Sequence, residues 1–356
     1  MSAWPIAPEP FRIKPTFSER LWGSRSLAPL FPEMHDLKSP IGEAWLTGLD
    51  CRIANGPFVD KTLGEAWKEM TTAWRGLKFR DETDFPLLLK FIFPTDKLSI
   101  QVHPDDAYAA VHEAAAGGRG KTEMWHVVSA EPGARLLAGL KPGATKERVL
   151  AALSDHTLED LFQSYEVQAG DTFFIPAGTP HTIGPGMIIC EVQEYSDLTY
   201  RLYDYERVDA KGKARELHVE KAMEVLNFNS NAGGKVATRP RLIRNKKFWE
   251  DLVDCPYFST SKREIDEPTH LKSIGKPSHE FSLWVFLEGE GKIGWSSNPQ
   301  DMTRSNFGEF SYTQGECWFI PAVFGSHGYY PKKKTNVLMA SPLNQKNELK
   351  KNGDAD

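Results

Sequence analysis

Apolar residues in this chain fall mostly into short runs of strand length, set apart by turns rich in Gly, Pro, Asn and Asp. The clearest run is Phe85 to Phe93 (FPLLLKFIF), which is continuously apolar apart from Lys90 and therefore predicts a strand buried on both faces. Lys97–Val102, Met124–Val128, Ala134–Leu140, Tyr165–Pro176 and Met187–Tyr195 read as further strands, and the first sixty residues as strands and loops. Helical spacing is confined to a few places. Thr62–Trp74 puts Leu63, Trp67, Met70 and Trp74 on one face behind a Thr62 cap. Pro104-Asp105-Asp106 opens a second helix, with Pro suited to a first helical position and acids near the positive end, and Gly117-Gly118 stops it. Thr145–Phe162 is helical with a break near Asp155, and Leu217–Leu226 is a short helix. Asn227–Lys235 (NFNSNAGGK) is the best linker, after which strands return in FWEDLVDCPYFSTSKREI, HEFSLWVFLEGEGKIGW, GECWFIPA and TNVLMASP. The tail from residue 346 is polar. The chain is mainly β.

Composition narrows the function classes. The 356 residues include 40% hydrophobic and 26% charged ones, enough for a sizeable core, and the net charge of −5 argues against a nucleic-acid binder working through bulk electrostatics. It leaves room for a basic pocket that takes a small anion. The N-terminus has no basic segment followed by an apolar one, and no apolar run approaches membrane-spanning length, so a soluble cytoplasmic protein with no membrane partner is expected. Cys51, Cys190, Cys255 and Cys317 are far apart, form no CxxC pattern and read as buried thiols of a reducing compartment.

One internal repeat stands out. Gly170-Asp-Thr-Phe-Phe-Ile-Pro-Ala177 matches Gly315-Glu-Cys-Trp-Phe-Ile-Pro-Ala322, and a histidine follows each copy, His181 and His327. A Gly-acidic turn, an apolar strand, then IPA and a loop with His resembles the second half-motif of a cupin. The resemblance implies two cupin-like β-barrels (jelly rolls), with a few helices decorating the first. Residues 1–230 would form the first barrel with its helical insertions, residues 236–345 the second, and residues 346–356 a polar tail. The second copy has FLEGEGKIGW, with no His, where the first half-motif should stand, so it is expected to lack a metal site.

The first copy is complete. Residues two apart on a strand share a face, so Gln101 sides with His103, and Lys121 with Glu123. A cupin places a ligand where His181 stands. Two imidazoles, a carboxylate and an amide oxygen suit zinc or another borderline divalent ion. Taken singly, a His before Pro-Asp-Asp is more often a cap or surface residue and a Glu in a Thr-Glu-Met run a solvated strand residue; their joint occurrence with the cupin loop carries the reading. His126, which points away from Glu123, reads as core, His112 as exposed on its helix and His327 as structural. Downstream, Glu191 and Gln193 share a strand face and Arg201 follows. With Lys121 beside the metal carboxylate, Arg201 is a candidate for holding an anionic substrate, because a guanidinium is a planar fork for phosphate oxygens.

These segments together resemble one family. QVHPDD, the Lys-Thr-Glu-Met-Trp run, the IPAGTPH loop, the stretch from Glu191 through Ser196-Asp197 to Arg201, and the opening ERLWGSRSL and IGEAW are similar to type I phosphomannose isomerases in their compact bacterial form. The resemblance covers residues 12–226 well and the second barrel loosely. It implies one zinc ion held by Gln101, His103, Glu123 and His181, and a pocket lined by Lys121, Glu191 and Arg201. The implied reaction interconverts mannose 6-phosphate and fructose 6-phosphate through an enediol(ate), with Glu191 or a metal-bound water as the base. Two other readings stand beside it, an iron-dependent cupin dioxygenase and a non-catalytic sugar-phosphate-binding cupin. The Leu-Thr-Tyr before Arg201 departs from the family pattern and bears on the shape of the pocket.

Overall fold

The computed structural model describes residues 8–209, 211–243, 246–271, 280–296 and 307–343. Along the chain come β1 (Phe11–Ile13), β2 (Thr16–Ser24), β3 (Ile41–Trp45), β4 (Leu87–Ile92), β5 (Ile100–Val102), β6 (Glu123–Ala130), β7 (Arg135–Leu140), β8 (Phe162–Glu166), β9 (Thr172–Ile175), β10 (His181–Ile183), β11 (Met187–Glu194), β12 (Tyr200–Tyr203) and β13 (Gly234–Lys235). They are followed by β14 (Arg239–Ile243), β15 (Lys246–Asp254), β16 (Phe258–Ile265), β17 (Thr269–Leu271), β18 (Ser282–Glu288), β19 (Glu290–Ser296), β20 (Phe307–Thr313), β21 (Cys317–Ile320), β22 (His327–Pro331) and β23 (Thr335–Pro342). The polar tail lies outside the described residues.

Five short helices interrupt this plan, α1 (Leu63–Glu69), α2 (Thr72–Arg75), α3 (Asp106–His112), α4 (Lys146–Ser154) and α5 (Val219–Val225). Thr62 caps α1 in a reciprocal box with Glu65. The single helix expected over Thr62–Trp74 is split, because Met70 turns extended (φ −66°, ψ 130°) and Thr71 begins a second helix. Two β-branched threonines in succession make that a favourable breaking point. Asp105 caps α3, accepting from the Tyr108 N–H at 2.8 Å, so Pro104 precedes the cap and is not the first helical residue; a 3-10 turn then leads to Gly117, whose φ of +70° ends the segment as expected. The break near Asp155 is present between α4 and the 3-10 turn Leu158–Leu161. No helix among the described residues is long and apolar enough to cross a membrane.

The strands form two sheet pairs that repeat each other. A seven-stranded sheet has the order β13-β9-β6-β11-β4-β3-β2 and faces a smaller one, β12-β5-β10-β7-β8. The second half has β1-β21-β18-β23-β16-β15-β14 and β17-β22-β19-β20. Strand for strand, β9 answers to β21, β6 to β18, β11 to β23, β4 to β16 and β10 to β22. The repeated turn glycines Gly170 and Gly315 both sit at positive φ (93° and 82°), a conformation that costs glycine little and other residues more. The jelly-roll expectation for two barrels agrees with this order.

Two strands bear on the division expected between residues 230 and 236, one inside the linker and one that crosses it. β13 pairs with β9 of the first barrel, and β1 is an edge strand of the second, with Phe11 opposite Phe319 and Ile13 opposite Cys317. One apolar core runs through both halves, from Leu87, Leu89 and Phe91 on β4 to Leu283, Val285, Phe319 and Leu338. That is why β4 is buried on both faces. Phe11 is fully buried, its ring stacked on Phe319 (centroids 4.9 Å apart) and close to Trp74 (5.9 Å) and Phe58 (6.1 Å). Deleting such a ring leaves a cavity between barrels that the aromatic cluster cannot close. Phe11→Ala should therefore lower the unfolding free energy by about 3–5 kcal/mol. Urea unfolding measures it, and a loss below about 1 kcal/mol would show that the cross-over strand is dispensable.

Candidate metal centre and its cavity

Three strand-positioned side chains converge. β5 and β10 pair with Gln101 opposite His181, while β6 begins at Glu123 opposite Ile175 of the IPA strand. His103 follows β5 directly, and His181 opens a strand where a loop position was expected. The donor atoms of His103, Glu123 and His181 all lie within 4.8 Å of one another, and all three residues are buried. His181 Nε2 is 3.2 Å and His103 Nε2 3.7 Å from the same oxygen, Oε1 of Glu123.

The hydrogen bonds behind these rings decide what the cluster wants. His103 Nδ1 is 2.8 Å from the Leu198 carbonyl and His181 Nδ1 is 2.8 Å from the Thr179 carbonyl. A carbonyl only accepts, so each Nδ1 carries the proton and each Nε2 turns a lone pair inward. Burial and the neighbouring Lys121 charge push His103 down to about 3, and burial likewise lowers His181, so both rings are neutral. Burial would raise Glu123, but Lys121 above all holds its carboxyl well below the usual carboxylate range. Two lone pairs and an anion thus face each other without a proton between them. His103 Nε2 and Glu123 Oε1 have no hydrogen-bond partner, while Oε2 is held by the Lys121 ammonium. Each such buried orphan costs on the order of 1–3 kcal/mol unless something satisfies it, and a cation does so for all of them at once. Residues of this chemistry fit a divalent metal of the zinc class. The Gln101 amide lies with Nε2 3.2 Å from His181 Nε2, and a half-turn of the amide would bring its oxygen there instead.

A cavity of about 440 Å³ opens beside the cluster, lined by Gln101, Lys121, Trp125, Glu191 and Arg201 among others. It brings Lys121, Glu191 and Arg201 into one wall with Gln101. Lys121 Nζ stands 3.0 Å from Glu123 Oε2. Burial works against its charge, yet Glu123 and Glu191 outweigh burial and keep it protonated. Glu191, on β11, is 4% exposed and accepts a hydrogen bond of 3.0 Å from Trp125 Nε1. Burial, with the Glu123 charge behind it, raises Glu191 to about 7 against the pull of Lys121 and Lys90. That is a carboxyl able to hold and release a proton near neutrality.

Arg201 does not continue the Glu191 strand. It lies on β12, in the other sheet, opposite Gln101 of β5. Its Nε donates to Ser99 Oγ at 3.3 Å and Nη1 to the Glu216 carbonyl at 2.9 Å, and no carboxylate pairs with it among the described residues. Arg215, whose charge repels that of Arg201, is itself tied to Asp204 (Nε–Oδ2 2.7 Å).

Sequence reasoning missed several wall residues, among them Arg20, Glu43, Lys90, Ser99 and Arg215. Lys90 carried a visible signal, a charge in the middle of an otherwise apolar run. It is 3% exposed, with Nζ 3.6 Å from Asp197, 3.9 Å from Glu191 and 4.6 Å from the Trp45 ring centroid. In all, five cationic side chains face three carboxylates in this cavity, which suits an anionic occupant. His126, by contrast, is buried away from it with Nδ1 3.0 Å from Thr172 Oγ1, in line with its reading as core. A larger cleft of about 930 Å³ lies between the N-terminal segment and the second barrel. Its charges largely neutralise each other, as in Arg12–Glu316 and Lys333–Glu290, and none of the metal-cluster residues lines it.

Comparisons with known proteins bear on the whole chain. Residues 10–124 match the family model described as phosphomannose isomerase type I, catalytic domain. The chain is 36% identical to the mannose-6-phosphate isomerase ManA of Bacillus subtilis over 290 residues, covering 80% of this chain and 87% of that one. It is 33% identical to the mannose-6-phosphate isomerase of Streptococcus mutans, with the same coverage. Among solved structures, a mannose 6-phosphate isomerase from Bacillus subtilis superposes with a TM-score of 0.80 at 26% identity, covering 94% of this chain and 99% of that one. The apo form of the Salmonella typhimurium enzyme shares the fold at a TM-score of 0.68 and 15% identity, covering 95% of this chain and all of that one.

Proposed function

This chain belongs to the type I phosphomannose isomerases and is a mannose-6-phosphate isomerase, and from that premise we propose that Gln101, His103, Glu123 and His181 hold one zinc ion while Lys121, Glu191 and Arg201 act on the sugar phosphate. The observation that carries the proposal is the facing of two neutral imidazole lone pairs against an ionised, buried carboxylate. Bound there, zinc supplies Lewis acidity toward the sugar oxygens at C1 and C2.

The chain's own residues do the rest. Glu191 takes the proton from C2 of the open-chain aldose, and the electrons of that C–H bond form the C1–C2 double bond of the enediol(ate) as the carbonyl electrons move to O1; the same carboxyl returns the proton to C1 while the hydroxyl proton of O2 passes to O1, which leaves the ketone at C2. Trp125 orients the carboxyl through its 3.0 Å hydrogen bond. Lys121, held charged inside the wall, steadies the negative oxygen that develops beside it. Arg201 offers an unpaired guanidinium to the phosphate, with Arg215 near it. The enzyme works in the cytoplasm, a setting that four free, buried cysteines suit.

A two-histidine, one-carboxylate set also suits iron oxygenases. The cationic excess of the cavity favours an anionic sugar instead. Dialysis against a chelator, followed by a coupled assay for fructose 6-phosphate, tests the reading. Turnover should vanish and return with one equivalent of zinc per chain. Full turnover by metal-free protein would overturn it, and a protein isolated with iron, inactive as an isomerase, would favour the oxygenase.

A further inference from the structure

The second barrel repeats the strand order of the first apart from β12, so its counterparts of His181, Glu123 and Gln101 can be located by register. His327 opens β22 as His181 opens β10, and its Nδ1 lies 3.1 Å from the Gly325 carbonyl, the same two-residue reach that His181 makes to Thr179. Trp284 stands opposite Trp318 as Trp125 stands opposite Phe173. Of the other three ligand positions two have changed, and the counterpart of His103 lies outside the described residues. Ser282, opposite Ile320, takes the place of Glu123, and Leu271, opposite His327, takes that of Gln101. Neither replacement is a ligand for zinc.

What His327 Nε2 meets is a guanidinium. Arg263 Nη1 lies 3.2 Å from it and donates to Tyr329 Oη at 2.6 Å. Arg263 is 5% exposed, with its Cζ 4.4 Å from the Trp249 ring centroid, 5.7 Å from Tyr329 and 5.8 Å from Trp284. A fixed organic cation thus stands beside the imidazole nitrogen whose counterpart in the first barrel faces the metal cluster.

This cation is under-satisfied. No carboxylate pairs with it among the described residues, its Nε is buried without a partner, and no hydrogen bond from Nη2 is present there. Arg75 is the internal control. It too is buried and stacked on a tryptophan with an orphaned Nε, but it donates to two backbone carbonyls, those of Glu82 and Trp67. Those fixed acceptors answer its charge. Arg263 has only a hydroxyl and an imidazole nitrogen, and a buried cation without an anionic or carbonyl acceptor is costly. Solvent reaches this region, because His327, Trp295 and Phe324 are each only partly buried, with Phe324 5.1 Å from the His327 ring and 5.7 Å from that of Trp295.

We propose that the second barrel holds an oxyanion-binding site, in which Arg263, flanked by His327 and Tyr329 and ringed by aromatic side chains, takes the phosphate or carboxylate group of a small metabolite. The Nε–Nη2 edge is the fork that binds such groups in a bidentate manner. The Tyr329 hydroxyl can turn its proton toward the ligand, and the tryptophans around the guanidinium shield the pair from water. The inference stands apart from the isomerase mechanism, since it uses no residue of the first barrel.

Titration of the zinc-loaded protein with inorganic phosphate and, separately, with acetate tests it, read by calorimetry and by the fluorescence of the tryptophans around Arg263. Wild type should bind one equivalent of anion beyond any that competes with mannose 6-phosphate. Arg263→Gln should lose that equivalent, with at least a tenfold rise in Kd, while keeping one zinc and wild-type turnover. Arg263→Lys, which keeps the charge and loses the fork, should bind measurably but more weakly. Arg201→Ala should keep the second-barrel equivalent. A preference for phosphate over acetate would mark a phosphorylated ligand, and the reverse a carboxylate. Phosphate stoichiometry and fluorescence that are the same in wild type, Arg263→Gln and Arg263→Lys would overturn the proposal and leave Arg263 as a packing residue. Displacement of the anion by equimolar chloride would do the same. Should Arg263→Gln fail to fold, the wild-type stoichiometry and the Arg263→Lys titration decide alone.

Discussion

Replacing His181 by alanine should strip the enzyme of its metal and of its turnover together. The ring sits at 0% exposure between Glu123 and Gln101, with Nδ1 committed to the Thr179 carbonyl and Nε2 committed to the cluster. Alanine removes one lone pair of a closely spaced set and leaves Glu123 with one fewer neighbour, so the remaining donors should not retain the ion through purification. Losing the Lewis acid removes several kcal/mol of transition-state stabilisation, a fall in turnover of about 10³ or more. Metal analysis beside steady-state kinetics reads both effects. The second barrel should not compensate, because Arg263 engages His327, the counterpart of His181. Purified His181→Ala that still carries a full equivalent of zinc would remove His181 from the ligand set.

Arg201→Ala should separate catalysis from folding. Its side chain donates to Ser99 and to one backbone carbonyl, contacts that water can replace at a half-buried site, and its loss relieves repulsion with Arg215. The melting temperature and the zinc content should scarcely move. Its charge, however, has no carboxylate partner among the described residues and lines the cavity beside Gln101. A guanidinium that meets phosphate or a developing oxyanion is worth on the order of 10²–10³ in turnover. Arg201→Lys should recover only part of the rate, since an ammonium lacks the planar fork. Wild-type kinetics on mannose 6-phosphate in Arg201→Ala would exclude the residue from the reaction. A large fall in melting temperature would instead make it a structural arginine.

Some of this was legible because the signal was local. Period-two and continuous apolar runs identified the strands, since pleating alternates side chains whatever the partner strand is. The break near Asp155 and the Thr62 cap follow from turn and cap chemistry within a few residues. The duplicated Gly-acidic turn and IPA strand announced two copies of one plan, but the first half-motif of the second copy does not fall on FLEGEGKIGW: strand register sets Leu271 and Ser282 at the places of Gln101 and Glu123. Where short-range cues competed, the outcome differs: helical spacing runs through Met70, although the threonines after it favour a new start, and Pro104, suited to a first helical position, stands before the cap Asp105.

The sequence by itself determined the mainly β character, the internal repeat and the residues that make up the candidate metal set, because each rests on spacing within one segment or on a motif a few residues long. Tertiary structure alone decided what meets across the fold. It set β1 into the second barrel's sheet, Arg201 opposite Gln101, Lys90 into the wall as a buried charge, and Arg263 against His327, the counterpart of His181 in the candidate metal set. The physical reason is that strand register and inter-barrel packing are settled by the sum of many weak contacts between residues far apart in the chain, and no single segment encodes that sum.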